Sequence, residues 1–224
     1  MSPVAAAAPR PRPAAERLPP AVPDLPSEPM RSVDRAWLRM DEPANLMIIN
    51  GVLVFEGAVD HARLVEVVRH RLLVIPRFRE RLVRDGRGRP AWQVDPDFRL
   101  ERHVVLERLP AGEDEDAALR RLVGGWMGEP LPPDRPPWCF YLVEGYQGGS
   151  AMVARLHHVI GDGIALMLVL LSLTDLEPEA PDEGQPPENP FGALFAQARG
   201  DLAAVRAATE QVMPEGMKLL LRPA

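Results

Sequence analysis

The 224-residue chain is long enough for one domain with appendages, and its apolar share of 46% is sufficient for a sizeable core. Its formal charge of −6 argues against nucleic acid as the default partner, and its longest apolar run, residues 164–171, is shorter than the ~18–20 residues that span a bilayer. Cys139 is the only cysteine, which excludes an intrachain disulfide and a cysteine-based zinc site and suits a reducing compartment, so we expect a cytoplasmic protein.

Composition divides the chain into three parts. Residues 1–31 are rich in proline and alanine and lack the apolar stretch of a secretory signal, so we expect a disordered extension. Residues 32–176 carry the periodic apolar patterns of a folded domain. Residues 177–224 begin as an acidic, proline-rich linker and continue as an alanine-rich segment that favours helix.

Helical spacing and β-branched runs alternate along residues 32–176. Apolar residues recur at helical spacing after Asp60, which can cap a helix that Pro76 ends or kinks. Helices are also predicted over residues 35–40, 113–127 and 163–173, and strands over residues 47–55, 91–94, 98–106, 138–144 and 150–157. Because the regular strand–helix–strand spacing of a parallel sheet is missing, we predict an α+β fold, or layered α/β, with a mixed sheet.

Two features in the middle of the chain have both a structural and a functional interpretation. Residues 77–84 alternate basic and apolar side chains, which is typical of a solvated edge strand or helix end. The alternative is a basic rim near an anionic ligand such as the phosphates of coenzyme A. His103 lies inside a predicted strand, where an isolated histidine is more often structural than catalytic.

The strongest candidate for chemistry is residues 157–163, His-His-Val-Ile-Gly-Asp-Gly, which lie between two apolar runs. Histidine suits proton transfer near neutral pH because its ordinary pKa is about 6.5. A helix that begins after the turn would aim its unpaired amides and positive dipole end at the site. Since side chains alternate along a strand, we expect one histidine to face a substrate channel and the other to pack away from it.

Three kinds of site could use these histidines. A metal site is disfavoured because neighbouring strand side chains point to opposite faces and no third ligand has suitable spacing. A nucleophile triad lacks a G-x-S-x-G turn, and Cys139 lies in an apolar strand typical of a core residue. The third kind uses one histidine as general base on an acceptor hydroxyl or thiol. Asp162 would then brace the turn through an arginine, such as Arg155, or touch the imidazole.

Four stretches resemble a known family. Residues 157–163 match the HHxxxDG signature of the coenzyme A-dependent acyltransferase superfamily, which includes peptide-synthetase condensation domains. Three further stretches resemble bacterial wax ester synthase/diacylglycerol acyltransferases: DRAWL followed by EP within residues 34–43, FRLERHVVLERLP at 98–110, and PL, RPPW and LVEG within 130–145. Pro137 stands where the family has leucine. The resemblance covers residues 32–176.

This resemblance implies a chloramphenicol-acetyltransferase-like half-domain that transfers a fatty acyl group from acyl-coenzyme A to diacylglycerol or a long-chain alcohol, in triacylglycerol or wax ester synthesis. By position, His158 is the general base, His157 supports it, Asp162 is a structural brace and Gly163 belongs to the turn. Acyl-coenzyme A is implied as a co-substrate, with no metal and no permanently bound cofactor. A lipid acceptor implies peripheral contact with a membrane or lipid droplet.

Members of this family resemble two similar halves, and the chain matches the first of them. We therefore expect it to need a complementary half, supplied by another chain or by self-association. Two alternatives stay open. One is a catalytically incomplete half-domain that binds lipid or protein, and the other is a condensation-type enzyme acting on carrier-protein thioesters.

Overall fold

Two sheets organise the chain, of which the computed structural model describes residues 13–161 and 163–174. The larger sheet is mixed and contains, in spatial order, β2 (Ile48–Phe55), β7 (Gly149–His157), β6 (Trp138–Tyr146) and β5 (Val104–Arg108). Its pairs are antiparallel except β5 with β6, which is parallel. The smaller, antiparallel sheet contains β1 (Ser27–Pro29), β4 (Pro90–Val94) and β3 (Glu80–Arg84). The mixed sheet confirms the predicted fold class.

The described residues also form four α-helices: α1 (Ser32–Met40), α2 (His61–Val67), α3 (Glu115–Met127) and α4 (Gly163–Leu171). Helix α2 begins where the Asp60 carboxylate accepts the Arg63 N–H at 2.7 Å, and it continues through a wide π turn that ends at Leu72. Asp114 caps α3 in the same way, by accepting the Ala117 N–H at 2.7 Å. Short polar side chains at these positions satisfy amides that have no partner within the helix.

Apolar side chains cover both faces of the larger sheet because side chains alternate along its strands. From β6, Trp138, Phe140 and Leu142 join the main core with residues of α2 and α4. The opposite face carries Tyr141 and Val143, and α3 packs on it to form a second, smaller core. All nine residues of β7 are buried, since this strand lies inside the sheet between β2 and β6. Its last residue, His157, is therefore delivered from the interior.

Residues 13–31 differ from the disordered extension predicted for residues 1–31. Ala14, Leu18 and Met30 are buried, and the side chain of Gln93 holds this segment from inside the smaller sheet. Its amide donates to the carbonyls of Val22 and Leu25 at 3.1 Å each and accepts the Val22 N–H at 2.8 Å. Proline removes backbone donors but leaves carbonyls that a neighbouring side chain can satisfy. Residues 1–12 and the predicted linker and helical segment, 177–224, lie outside the described residues.

Two predicted elements have different boundaries in the structure. Residues Leu100–Arg102 form a 3-10 turn, and β5 starts only after His103, so this histidine precedes the strand. The basic segment becomes a 3-10 turn, Pro76–Arg79, followed by the edge strand β3. Arg77 pairs with Glu80 at 2.7 Å and stacks 4.3 Å above the Trp92 ring, which favours the structural interpretation of this segment.

Gly149, the first residue of β7, is a position where an alanine is expected to destabilise the fold. A β-carbon there would overlap the Phe55 carbonyl oxygen and lie 2.9 Å from the Gly57 carbonyl oxygen. Phe55 is the last residue of β2, the strand that pairs with β7 at this point, and Gly57 follows two residues later. Overpacking of this kind costs ~1–3 kcal/mol. Gly124→Ala, inside α3 with no heavy atom within 4 Å of the new carbon, should be neutral or stabilising by up to ~1 kcal/mol. Urea unfolding of both variants checks this, and equal midpoints would contradict it.

Candidate active site

The two histidines lie where β7 ends, and their backbone is held from both sides. The His157 N–H donates to the Pro137 carbonyl at 3.1 Å, and the His158 N–H donates to the Met47 carbonyl at 2.9 Å. Met47 directly precedes β2, so the turn is anchored to the segments next to both neighbouring strands. These bonds place the turn at the edge of the buried sheet.

His157 packs into the interior, as expected for one member of the pair. Its side chain is 6% exposed, and its Nδ1 accepts the Val159 N–H at 3.1 Å. A nitrogen that accepts a hydrogen bond carries no proton, so a neutral ring must carry its proton on Nε2. That nitrogen lies 3.3 Å from Asp41 Oδ2, in a contact too bent to be a good hydrogen bond but close enough for electrostatic attraction.

His158 is the half-buried member of the pair. Its ring stacks on Trp37 of α1, with centroids 4.4 Å apart and planes inclined by 16°. Stacking of this kind holds the plane of the imidazole. The two rings thus occupy different environments, as strand alternation predicted.

Asp41, a residue outside the predicted site, is the carboxylate beside this pair. It follows the last residue of α1 and is 3% exposed, and its Oδ1 accepts the Met47 N–H at 2.9 Å. Burial acts against its charge, but the contact with His157, the Met47 N–H and the charge of Arg17 outweigh burial and lower the Asp41 pKa. Trp37 lies in α1 and Asp41 directly follows that helix, four residues later, a spacing that brings both to the same side of the helix end and could have identified them as a pair.

Two predicted site residues remain, Asp162 and Gly163. Asp162 lies outside the described residues. Gly163 begins α4, where an added β-carbon would come only 3.9 Å from the Ile49 Cδ1, an ordinary contact, so its importance for the turn stays a prediction.

A polar cluster lies on the α3 side of the sheet. Arg155 is 2% exposed and donates to Asn50 Oδ1 at 3.2 Å and to the Glu129 carbonyl. Burial raises the pKa of Tyr141 to about 12 and raises the pKa of the neighbouring Cys139 thiol. Both groups therefore stay protonated at neutral pH, and Cys139 behaves as the core residue that the sequence predicted.

A cleft opens beside His157. It is bounded by the N-terminal segment, by α1 with Asp41, and by the proline-rich loop before β6. Its lining includes Arg17, Leu18, Leu38, Leu131, Pro133, Arg135 and Pro137. The cleft gives the internal histidine a largely apolar boundary that also contains two arginines. The Arg17 guanidinium lies 3.7 Å from the Asp41 carboxylate.

His103 is a structural histidine. It is 1% exposed, its Nδ1 donates to the Trp138 carbonyl at 2.8 Å, and its ring stacks between Phe98 and Trp138 with centroid distances of 5.2 and 4.4 Å. Burial lowers its pKa from 6.5 to about 4, although the bond to the carbonyl acts in the opposite direction. His103 is therefore neutral at pH 7, and its contacts are those of a structural residue.

His103 is expected to make the protein less stable as the pH falls from about 6.5 to about 4. In that window the unfolded chain binds a proton at this residue and the folded chain does not, so the free energy of unfolding falls. Each pKa unit corresponds to ~1.4 kcal/mol, which gives a loss of ~3 kcal/mol at about pH 4. Above about pH 6.5 the contribution is constant. His103→Asn keeps an N–H donor without titrating, so its stability should fall less between about pH 7 and 4.5. Parallel pH profiles of the two proteins in urea unfolding would contradict this.

The fold places the chain among acyltransferase and condensation-domain structures. A wax ester synthase/diacylglycerol acyltransferase from Marinobacter aquaeolei VT8 matches with a TM-score of 0.57 and 27% identity, covering 68% of this chain and 38% of that one. The starter condensation domain of rhizomide synthetase RzmA matches with a TM-score of 0.54 and 18% identity, covering 65% and 37%, a likeness of fold alone. The chloramphenicol-acetyltransferase-like fold implied by the sequence is confirmed.

The family model described as the wax ester synthase/diacylglycerol acyltransferase catalytic domain matches residues 30–222, and the chain belongs to this family. A probable diacylglycerol O-acyltransferase of Mycobacterium tuberculosis, tgs3, is 30% identical over 180 residues, which are 75% of this chain and 66% of the relative. Another from that organism, tgs1, is 36% identical over 133 residues, 58% of this chain and 28% of the relative. The chain thus spans between about a quarter and two thirds of these relatives.

Residues 13–161 and 163–174 can be searched for membrane-spanning helices and for clusters of metal ligands. None of the helices there combines the length and apolarity needed to cross a bilayer. No three histidine, cysteine or acidic side chains in this part of the chain come together as metal ligands would.

Proposed function

We propose that this chain is the first half of an acyltransferase that moves a fatty acyl group from acyl-coenzyme A to the hydroxyl of diacylglycerol or a long-chain alcohol. Its family and the names of its relatives support this reaction over carrier-protein condensation, because the condensation domains resemble it in fold alone. The observation that supports the proposal most directly is the half-buried His158, which stacks on Trp37. It lies beside His157, whose Nδ1 accepts a hydrogen bond from the Val159 N–H.

In this proposal His158 is the general base. An unprotonated ring nitrogen takes the proton of the acceptor hydroxyl while the hydroxyl oxygen attacks the thioester carbonyl carbon. The tetrahedral intermediate then collapses, the carbon–sulfur bond breaks, and the imidazolium returns its proton to the departing coenzyme A sulfur. Ester and free thiol are the products. His157 supports the turn and takes no part in the proton transfer.

Asp162 is proposed as the brace of the turn through Arg155. Among the described residues Arg155 contacts neutral groups, which include the Asn50 side chain, the Glu129 carbonyl and the Tyr141 hydroxyl, and a buried guanidinium is best stabilised by a carboxylate. Gly163 is proposed to allow the backbone to enter α4 directly after Asp162.

A complementary half is proposed to cover β2. This strand lies at an edge of the larger sheet, is eight residues long and contains neither a charged residue nor a proline. Its Val52 and Val54 are 45% and 53% exposed. Proteins normally protect such edges with charges, prolines or covering segments, so an uncharged edge supports a partner polypeptide. The lipid acceptor supports peripheral contact of the assembled enzyme with a membrane or lipid droplet.

The test is an assay with palmitoyl-coenzyme A and either hexadecanol or a diacylglycerol. The chain is assayed alone and after co-expression with the portion of a full-length relative that it does not match, and that portion alone is the control. We expect ester formation only when both polypeptides are present and co-purify. A co-purifying pair that forms no ester would contradict the proposed reaction and leave a binding module as the function.

A further inference from the structure

We infer that Asp41 is the positioning residue of the histidine pair, holding His157 through its side chain and His158 through the Met47 peptide. The inference rests on the proposed function for its meaning, although its structural content can be tested without catalysis. Asp41 Oδ2 lies 3.3 Å from His157 Nε2, and Asp41 Oδ1 accepts the Met47 N–H at 2.9 Å. The carbonyl of the same Met47 accepts the His158 N–H at 2.9 Å.

The first connection fixes the ring of His157. Val159 donates to Nδ1, so the proton of a neutral ring must be on Nε2, the atom that faces Asp41. A carboxylate has no proton to donate at neutral pH and favours an N–H in front of it. Rotation of the ring by 180° would replace both nitrogen contacts with carbon, so the two partners together hold one orientation and one tautomer.

The second connection fixes the backbone of His158. Because Met47 is bonded to Asp41 on its N–H side and to His158 on its C=O side, the main chain of the proposed base is tied to the end of α1. One helical turn earlier, Trp37 stacks on the His158 ring. Helix α1 therefore constrains both the backbone and the ring plane of the base, which is the geometry that proton transfer to a fixed acceptor requires.

A carboxylate is the group suited to this place. One oxygen accepts the Met47 N–H, and the other presents negative charge 3.3 Å from His157 Nε2. An asparagine of the same shape has one accepting oxygen and one donating amide, so it can satisfy only one of the two. Asp41→Asn should therefore keep the Met47 bond and lose the His157 contact, or the reverse. The ion pair of Asp41 with Arg17 is longer, at 3.7 Å, and Arg17 is 26% exposed, so it contributes less.

The experiment reads the imidazole tautomers by long-range nitrogen–proton correlation NMR on the chain as it stands. In the wild type we expect His157 with its proton on Nε2 and a bare Nδ1. Asp41→Asn should change the His157 pattern and broaden or shift the His158 ring signals, whereas Asp85→Asn, a surface hairpin carboxylate that also accepts backbone N–H groups, should change neither. Where the complemented enzyme is active, Asp41→Asn should lower kcat by up to about 100-fold with little change in KM.

Two results would overturn the inference. One is a wild-type His157 that carries its proton on Nδ1, a measurement that needs no variant to fold. The other is a folded Asp41→Asn protein with wild-type histidine signals. Because the NMR measurement does not depend on turnover, an inactive complemented enzyme would count against the proposed function and leave the role of Asp41 decided by the tautomer.

Discussion

Replacing His158 with alanine is expected to lower kcat for acyl transfer by ~10²–10⁴ in the complemented enzyme, the range that general acid–base catalysis contributes. The acceptor hydroxyl would lose the group that removes its proton, while the substrates would still bind, so KM should change little. His158 is half-buried and stacked on Trp37, so the substitution leaves no void in the core and should cost only ~1 kcal/mol of stability. Initial rates of coenzyme A release, with ester product quantified separately, measure the effect.

His70→Ala is the matched control for this experiment. His70 is an exposed histidine in the turn after α2, and its Nε2 lies 3.2 Å from Glu66 Oε2. We expect wild-type kcat from this variant. If His158→Ala keeps wild-type kcat while folding normally, the general base must be another group.

Trp138→Ala is expected to cause the largest loss of stability, ~3–5 kcal/mol, which is typical of a large aromatic residue removed from a core. The Trp138 side chain is 1% exposed, and its Nε1 donates to the Phe78 carbonyl at 2.9 Å. Its ring stacks on His103 at 4.4 Å and meets Phe78 edge-on at 5.8 Å. Alanine would leave a cavity and an unpaired carbonyl in the place where the two sheets meet. Since domains of this size are stable by ~5–15 kcal/mol, a large part of the folding free energy would be lost.

Trp126→Ala is the comparison for this prediction. Trp126 lies half-buried on α3 and stacks on Tyr141 at 4.0 Å, so its removal should cost less, ~1–2 kcal/mol. Urea unfolding of both variants gives the two free energies, with unchanged m-values showing that the same surface unfolds. Equal losses would mean that Trp138 is not the centre of the core.

The elements that local rules govern were predictable. The caps at Asp60 and Asp114 follow from side chains that satisfy free amides at a helix start. The hairpin of β6 and β7 follows from two apolar runs separated by glycine-containing residues. The structure places positive φ angles at Gln147 and Gly148 in that turn, and at Gly145 where the pairing of β6 with β7 shifts register. The same rules put two histidines at the end of a buried strand with their rings in different environments.

Where local signals were weak, the structure differs from the one that composition indicated. Proline-rich composition indicated disorder for residues 13–31, but burial of Ala14 and Leu18 and the bonds from Gln93 hold that segment. Those partners come from β4 and the core, far along the chain, so no local pattern records them.

By itself, the sequence determined the family, the mixed α/β class and the position of the histidine pair, because strand alternation, helix capping and motif spacing operate over a few residues. Only the tertiary structure decided what holds that pair. The contacts of Asp41 with His157 and of Trp37 with His158 join residues more than a hundred positions apart, and they exist because α1 packs where β7 ends. Side-chain chemistry alone leaves those partners open, since a buried imidazole can be satisfied by any carboxylate, carbonyl or ring that the fold brings within reach.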